Sequence, residues 1–208
     1  MTSSEIDALV RDVEEYAKQH KGRIYAPIDH PAFAHVPSQH GAERFEPIRS
    51  HMPDGMETAL DIGTHWGYFA HRLEGLGLRV TAAENMESYL GFLRRIRDLY
   101  EDTFDIYAQS VFDLEGDVEF DVVLALNIFH HFIKTERAHG ELIDFLERLR
   151  CKALFFQSHN IKEGQMSDAF RNYSPEKFCS VIVAHVPTLN RFDQIAAFGA
   201  RPMFLLQA

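Results

Sequence analysis

A chain of 208 residues is long enough for one well-buried core and short for two domains. Its formal net charge of −10 weighs against broad binding to nucleic-acid phosphates, which needs a basic surface. Two cysteines, Cys151 and Cys179, make no disulfide framework, and no apolar run of about 18 residues is present to cross a membrane. The polar start Met1–Glu5 lacks a basic-then-apolar leader, so a cytoplasmic location is expected. The basic groups Arg94, Arg95 and Arg97, and Arg148, Arg150 and Lys152, fit solvated helix faces.

In chain order, Ser4 and Asp7 suggest a capping box that opens an amphipathic helix over about Glu5–Gln19, with Ile6, Leu9, Val10, Val13 and Ala17 at helical spacing. The stretch Gly22–Arg49 carries Pro27, Pro31, Pro37 and Pro47 and is expected to be irregular. Residues 1–50 thus read as an N-terminal extension and 51–208 as the main domain. From Thr58 onward short apolar runs alternate with helical patterns. Strands are predicted at Thr58–Ile62, Arg79–Ala83, Asp105–Ala108, Asp121–Leu126 and Lys152–Gln157, and helices near Gly67–Leu76, Ser88–Tyr100 and Thr135–Leu149. Gly77 sits where a helix end favours a left-handed residue. Such alternation implies right-handed βαβ units and a mainly parallel sheet. Ser174 and Pro175 then open a further helix. Two closing strands, near Asn190–Phe198 and Pro202–Gln207, flank Gly199 and must be antiparallel, because so brief a link allows no parallel crossover.

Ligands of open α/β sheets bind at the carboxyl ends of the strands. The first strand ends in Leu60-Asp61-Ile62-Gly63-Thr64-His65-Trp66-Gly67. Gly63 permits a sharp turn and close backbone approach, and Gly67 lets the next helix pack near a ligand. Glu84 ends the second strand, and its carboxylate is placed to accept both hydroxyls of a ribose, at about the roughly 20 residues from Gly67 expected of that role. A nicotinamide dinucleotide would want the tighter Gly-x-Gly-x-x-Gly, which this segment lacks.

These residues resemble the class I, Rossmann-like methyltransferases that use S-adenosylmethionine (SAM), whose first motif reads acidic-x-Gly-x-Gly-x-Gly. His65 stands where the middle glycine is expected. The resemblance covers about Thr58 to the C-terminus. It implies a seven-stranded sheet of order 3-2-1-4-5-7-6 with an antiparallel last strand. It places Asp61, Gly63, Thr64, His65 and Gly67 around the methionine part of SAM, and Glu84, Asn85 and Met86 around its ribose and adenine. Ser110 and Val111 fall where the family contacts the adenine, and the usual Asp of that place is absent. Asn127, at the exit of Asp121–Leu126, would lie beside the transferable methyl. Arg44 is a candidate partner for the SAM carboxylate or for an acidic acceptor, a surface arginine being the ordinary alternative.

His130 and His131 follow Asn127 and would face the acceptor, with His159 after the fifth strand as a helper. Histidine has a pKa suited to a general base, and adjacent histidines also commonly pack or cap a turn. No metal-ligand spacing joins them, so no metal is expected. Gln157–Tyr173 is long and polar and reads as a lid, with Arg171 and Tyr173 as candidate contacts. The Asn-x-x-His-His run before a Phe-Phe-Gln strand resembles methyltransferases of saccharide or phosphorylated-sugar termini. The expected activity is O-methylation of a small-molecule or saccharide-type acceptor, with S-adenosylhomocysteine (SAH) as product. Transfer to nitrogen of a small molecule, RNA methylation and a non-catalytic SAM-binding protein are the rivals. The oligomeric state is not legible.

Overall fold

A computed structural model describes residues 1–208. The sheet strands are β1 (Thr58–Ile62), β2 (Arg79–Ala83), β3 (Asp105–Tyr107), β4 (Val122–Leu126), β5 (Ala153–Gln157), β6 (Arg191–Phe198) and β7 (Arg201–Gln207). They lie in the order 3-2-1-4-5-7-6. The pairings among β1 to β5 are parallel, while β7 runs antiparallel to both β5 and β6. The expected α/β, Rossmann-like sheet is thus the sheet observed.

Period-two alternation builds the two faces. Leu60, Ile62, Val123, Ala125, Leu154 and Phe156 point to one side, where α6 (Glu136–Arg148) adds Leu142, Phe145 and Leu146 and α7 (Pro175–His185) adds Phe178 and Ile182. Ala59, Val122, Leu124, Ala153 and Phe155 point to the other, under α3 (Tyr68–Glu74) and α4 (Glu87–Tyr100). Every residue of β4 and β5 is buried, as a central parallel strand covered by helices requires.

Helix α1 (Ser3–Gln19) starts two residues earlier than its sequence suggests. Thr2 is the N-cap, and Glu5 reaches back to the Thr2 backbone N–H at 2.6 Å; Ser4 and Asp7 are not the capping pair. The stretch read as irregular ends in a short helix, α2 (Phe45–Ser50). It tolerates Pro47 because the first-turn N–H groups have no helical partner. A second short helix, α5 (Phe129–Phe132), occupies the exit of β4. Val118–Glu119 and Leu149–Arg150 form an unexpected two-residue parallel pair below the sheet.

The first fifty residues are held by their own apolar cluster. Leu9, Val13 and Ala17 of α1 and Ile24, Ile28 and Phe33 of the segment after it pack on Trp66 and on Ile96 of α4. That contact lays the N-terminal segment across the carboxyl ends of β1 and β2.

Candidate functional site

The loop leaving β1 is tied to the end of β2, since the Gly63 and Thr64 N–H groups both donate to the Ala83 carbonyl, at 2.9 and 3.1 Å. Gly63 has φ +68°, and a Cβ there would stand 2.8 Å from Ile128 Cδ1. Gly67, the N-cap of α3, has φ +85°, and a Cβ there would stand 2.7 Å from Leu93 Cδ1. Both places therefore demand glycine. His65, where the family motif has its middle glycine, also takes a left-handed φ of +58°. A non-glycine residue there costs about 1–2 kcal/mol. Its N–H donates to Glu84 Oε2 at 3.0 Å, and its ring packs 4.2 Å from Tyr89 and 5.1 Å from Tyr25, centroid to centroid. The ring therefore lines the cavity. Burial pushes its pKa down to about 3, so it is a neutral wall.

Glu84 ends β2 as a buried carboxylate. Oε1 accepts the Asn85 and Met86 N–H groups, each at 2.9 Å, and Oε2 accepts that of His65. Burial raises its pKa, and the three backbone donors oppose the rise. Above it opens a cavity of about 440 Å³, within the range of small-ligand sites. Gly63, His65, Glu84, Ser110 and Asn127 line the sheet side of this cavity, and Tyr16, Ile24 and Tyr25 close it from the N-terminal segment. Asn85, Met86 and Val111 also border it. Ser110 uses its hydroxyl to cap the turn Val111–Asp113, accepting from the Phe112 N–H at 3.4 Å. Asn127 has φ +58° and donates from Nδ2 to the Tyr25 hydroxyl at 3.3 Å, while its buried Oδ1 has no partner.

Two buried charges flank this cavity without meeting it. Asp61 is 2 % exposed and accepts the Thr64 hydroxyl at 2.5 Å. With Gly63, Thr64 and Tyr25 it borders a second, small cavity of about 30 Å³. Burial raises the Asp61 pKa to about 6, with the nearby charge of Glu84 also raising it and the Thr64 hydrogen bond lowering it. Because the folded value lies above the ordinary 3.8, the folded chain holds a proton that the unfolded chain loses. Stability therefore falls as pH rises from about 4 to 6, by roughly 3 kcal/mol, and the penalty is complete above that window. Asp61→Asn is expected to remove this dependence and to melt higher at neutral pH without ligand. Parallel melting-temperature profiles for variant and parent between pH 4 and 7 would contradict that.

Arg44 is 1 % exposed. One guanidinium nitrogen donates to the Gln157 side chain, and the group lies 5.2 Å from the Phe69 ring centre. Its Nε and Nη1 are buried without an acceptor, and no carboxylate forms an ion pair with it. A buried guanidinium without a paired carboxylate is uncommon, and here the Tyr25 hydroxyl and the charge of Glu43 offset part of its burial.

Of the three candidate histidines, His131 borders the large cavity, beside Asn127. His130 lies 4.1 Å behind it, ring to ring, and is 4 % exposed. His159 is fully buried, 5.7 Å from His130, and its Nε2 meets Asn172 Oδ1 at 2.9 Å. Burial, with the neighbouring His131, Arg201, His159 and Lys134, pushes the His130 pKa down to about 3. No cluster of metal-ligating side chains is formed. Arg171 is exposed against Phe170, and Tyr173 bonds His139 at 2.9 Å; neither borders the cavity. Tyr16, His20, Arg23, Gln39 and Tyr89 border it without having been singled out in the sequence. Tyr16 and Tyr89 carried a signal, Tyr16 lying on the same face of α1 as Val13 and Tyr89 at helical spacing with Phe92 and Leu93.

No family model and no curated protein sequence matches the chain. Solved structures do. The bifunctional kinase-methyltransferase WbdD superposes with a TM-score of 0.69 at 17% identity, over 97% of this chain and 46% of its own. Magnesium protoporphyrin IX methyltransferase (ChlM) from Synechocystis PCC 6803, crystallised with SAM, gives 0.55 at 13% identity, over 77% of this chain and 74% of its own. The N-methyltransferase NodS from Bradyrhizobium japonicum WM9 gives 0.51 at 14% identity, over 73% and 84%. The chain spans about half the length of the WbdD chains it matches. The fold is that of the class I SAM-dependent methyltransferases.

Proposed function

We propose that the chain is a SAM-dependent methyltransferase acting on an oxygen of a small-molecule or saccharide-type acceptor. Residues 51–208 are its catalytic domain, and residues 1–50 cover the cofactor. The observation that carries this reading is the cavity of about 440 Å³ at the carboxyl ends of β1, β2 and β4, with Glu84 at its edge and Asn127 across it. The residues fit SAM. Glu84 would take the ribose hydroxyls, with Asn85, Met86, Ser110 and Val111 beside the adenine. Gly63, Thr64, His65 and Gly67 shape the turn along which the amino-acid part would lie. Asp61 and Arg44, a buried acid and a buried cation just outside the cavity lining, would match its ammonium and carboxylate.

SAM supplies a methyl group already activated on a sulfonium. The remaining work of the chain is alignment, which contributes several kcal/mol in such displacements. Asn127 borders the methyl position, and its free Oδ1 orients the cationic end of the donor. His131 is the histidine that meets the acceptor, with His130 and His159 behind it. Tyr16, Ile24 and Tyr25 keep water out from above. The test is incubation with methyl-labelled SAM and a panel of sugars, sugar acids, phenols and amines. Label in an O-methyl product is the expected outcome. Label in an amine would move the reaction to nitrogen, and tight SAM binding with no transfer would make the chain a SAM-binding protein without catalysis.

A further inference from the structure

We propose that the Tyr25 side chain is a specificity gate inside the cofactor site. Without ligand it stands where the amino-acid end of SAM belongs, and it swings aside only for a nucleoside that carries that end. The proposal rests on the SAM-binding reading above and concerns which ligands that site accepts. The cavity of about 440 Å³ and the small one of about 30 Å³ share the lining residues Tyr25, Gly63, His65 and Leu126. Asp61 and Thr64 border the small one alone. That space holds about one water. An ammonium, a carboxylate and the carbons that join them need several times as much. A ligand in the large cavity therefore reaches Asp61 only if the wall between the two spaces moves.

Tyr25 is the part of that wall free to move. Gly63 is tied by its N–H to the Ala83 carbonyl, and Leu126 pairs with Gln157 inside the sheet. His65 is tied by its N–H to Glu84, and its ring is wedged between Tyr25 and Tyr89. The Tyr25 backbone is also fixed, since its carbonyl accepts the His40 N–H at 3.0 Å and the Ile24 N–H donates to the Pro37 carbonyl at 2.9 Å. Its side chain is half-buried and lies edge-on to the His40 ring. One 3.3 Å bond from Asn127 Nδ2 holds its hydroxyl. The ring can turn about its own side-chain bonds while the N-terminal segment stays on the sheet.

What the hydroxyl touches is what the ligand needs. It accepts from Asn127 and lies near enough to the Arg44 guanidinium to offset part of that cation's burial. Both neighbours keep polar atoms without a partner: Asn127 Oδ1, Arg44 Nε and Arg44 Nη1, in residues 7 % and 1 % exposed. Unpartnered groups so deeply buried are uncommon, and here they belong to the two residues beside one phenol oxygen. A carboxylate, with two oxygens and a full charge, satisfies more of these donors than the phenol does. An ammonium gives Asn127 Oδ1 the donor it lacks and Asp61 a counter-charge. The hydroxyl is thus a partial substitute for the amino-acid end. A nucleoside without that end brings nothing to replace it and leaves the ring in place.

The test compares SAH with 5′-methylthioadenosine, which keeps the adenine, ribose and sulfur and lacks the amino acid. Both are titrated calorimetrically into the full chain and into Tyr25→Phe. Phenylalanine keeps the ring and removes the bonds that hold it, so SAH affinity is expected to rise by about threefold to tenfold. Affinity for 5′-methylthioadenosine should stay within about twofold of the parent, because that ligand never displaces the ring. In the full chain labelled with 3-fluorotyrosine, the signal missing from Tyr25→Phe identifies Tyr25. SAH is expected to move it to a new position, and 5′-methylthioadenosine to leave it near its free one. If Tyr25→Phe does not fold, Tyr25→Leu, which also lacks the hydroxyl, takes its place in both measurements. A variant that binds SAH no more tightly than its parent would overturn the proposal, as would a fluorine signal that answers both ligands alike. Binding of neither ligand would sink the cofactor reading and the gate with it, whereas binding of both with Tyr25 unmoved sinks the gate alone.

Discussion

Arg44→Met is expected to make the ligand-free protein more stable and, in the same variant, to weaken SAM binding severely. The two effects have opposite signs because they act on two states of one charge. Without ligand the guanidinium is buried, with Nε and Nη1 unpartnered and one bond to the neutral Gln157. Burial lowers its pKa, and the Tyr25 hydroxyl and the charge of Glu43 oppose the fall. Apolar replacement of buried ion pairs is often neutral or stabilising by about 1–4 kcal/mol, and a lone buried cation is expected to follow in the same direction. With SAM bound, the same nitrogens would hold its carboxylate, and losing a buried charge pair of that kind costs about 2–5 kcal/mol. That corresponds to roughly 30-fold to a few thousand-fold in affinity. Thermal melts of the free protein and calorimetric titration of the variant read the two effects independently. A variant that melts lower while binding SAM as its parent does would leave Arg44 as a structural arginine only.

Glu84 carries the second large effect. Two charge-assisted bonds to ribose hydroxyls are worth about 3–6 kcal/mol together, so Glu84→Ala should lose roughly a hundredfold or more in SAM affinity. The same carboxylate also holds the N–H groups of His65, Asn85 and Met86. The alanine variant should therefore lose stability as well, by about 1–3 kcal/mol for the N–H of His65 on its strained left-handed residue. Glu84→Gln separates the roles. Its amide oxygen keeps the Asn85 and Met86 bonds, while its NH₂ faces a donor at His65 and offers the ribose one acceptor fewer. Folding close to the parent with at least a tenfold weaker SAM complex is the outcome expected. A glutamine variant with unaltered affinity would take Glu84 out of the cofactor site.

The arrangement of β1 and β2 was legible because both are short apolar runs bounded by turn residues, and the strand order came with the motif they carry. What sequence left open was settled by reach and by distance along the chain. Thr2/Glu5 and Ser4/Asp7 offer overlapping capping patterns, and the longer glutamate side chain is the one that reaches back to the cap N–H. Helices α2 and α5 are too short to show a helical period, and α2 contains Pro47. Asp61 was legible as a motif acid, whereas its burial under the Thr64 hydroxyl depends on the loop closing over it. Arg44 reads as an ordinary surface residue until the N-terminal segment folds across β5 and brings it to Gln157, 113 positions away. Of the histidine pair, sequence could not say which ring faces the cavity. The single turn of α5 decides it, turning His131 outward and His130 into the core.

The central claim is that the cavity between Glu84, Asn127 and the N-terminal segment binds SAM. Calorimetric titration of the purified chain with SAM, with SAH and, in parallel, with NADH tests it most directly. Micromolar binding of SAM and SAH with no heat from NADH is the predicted result. No binding of either SAM or SAH, or binding of NADH in their place, would contradict the account and leave the fold alone standing.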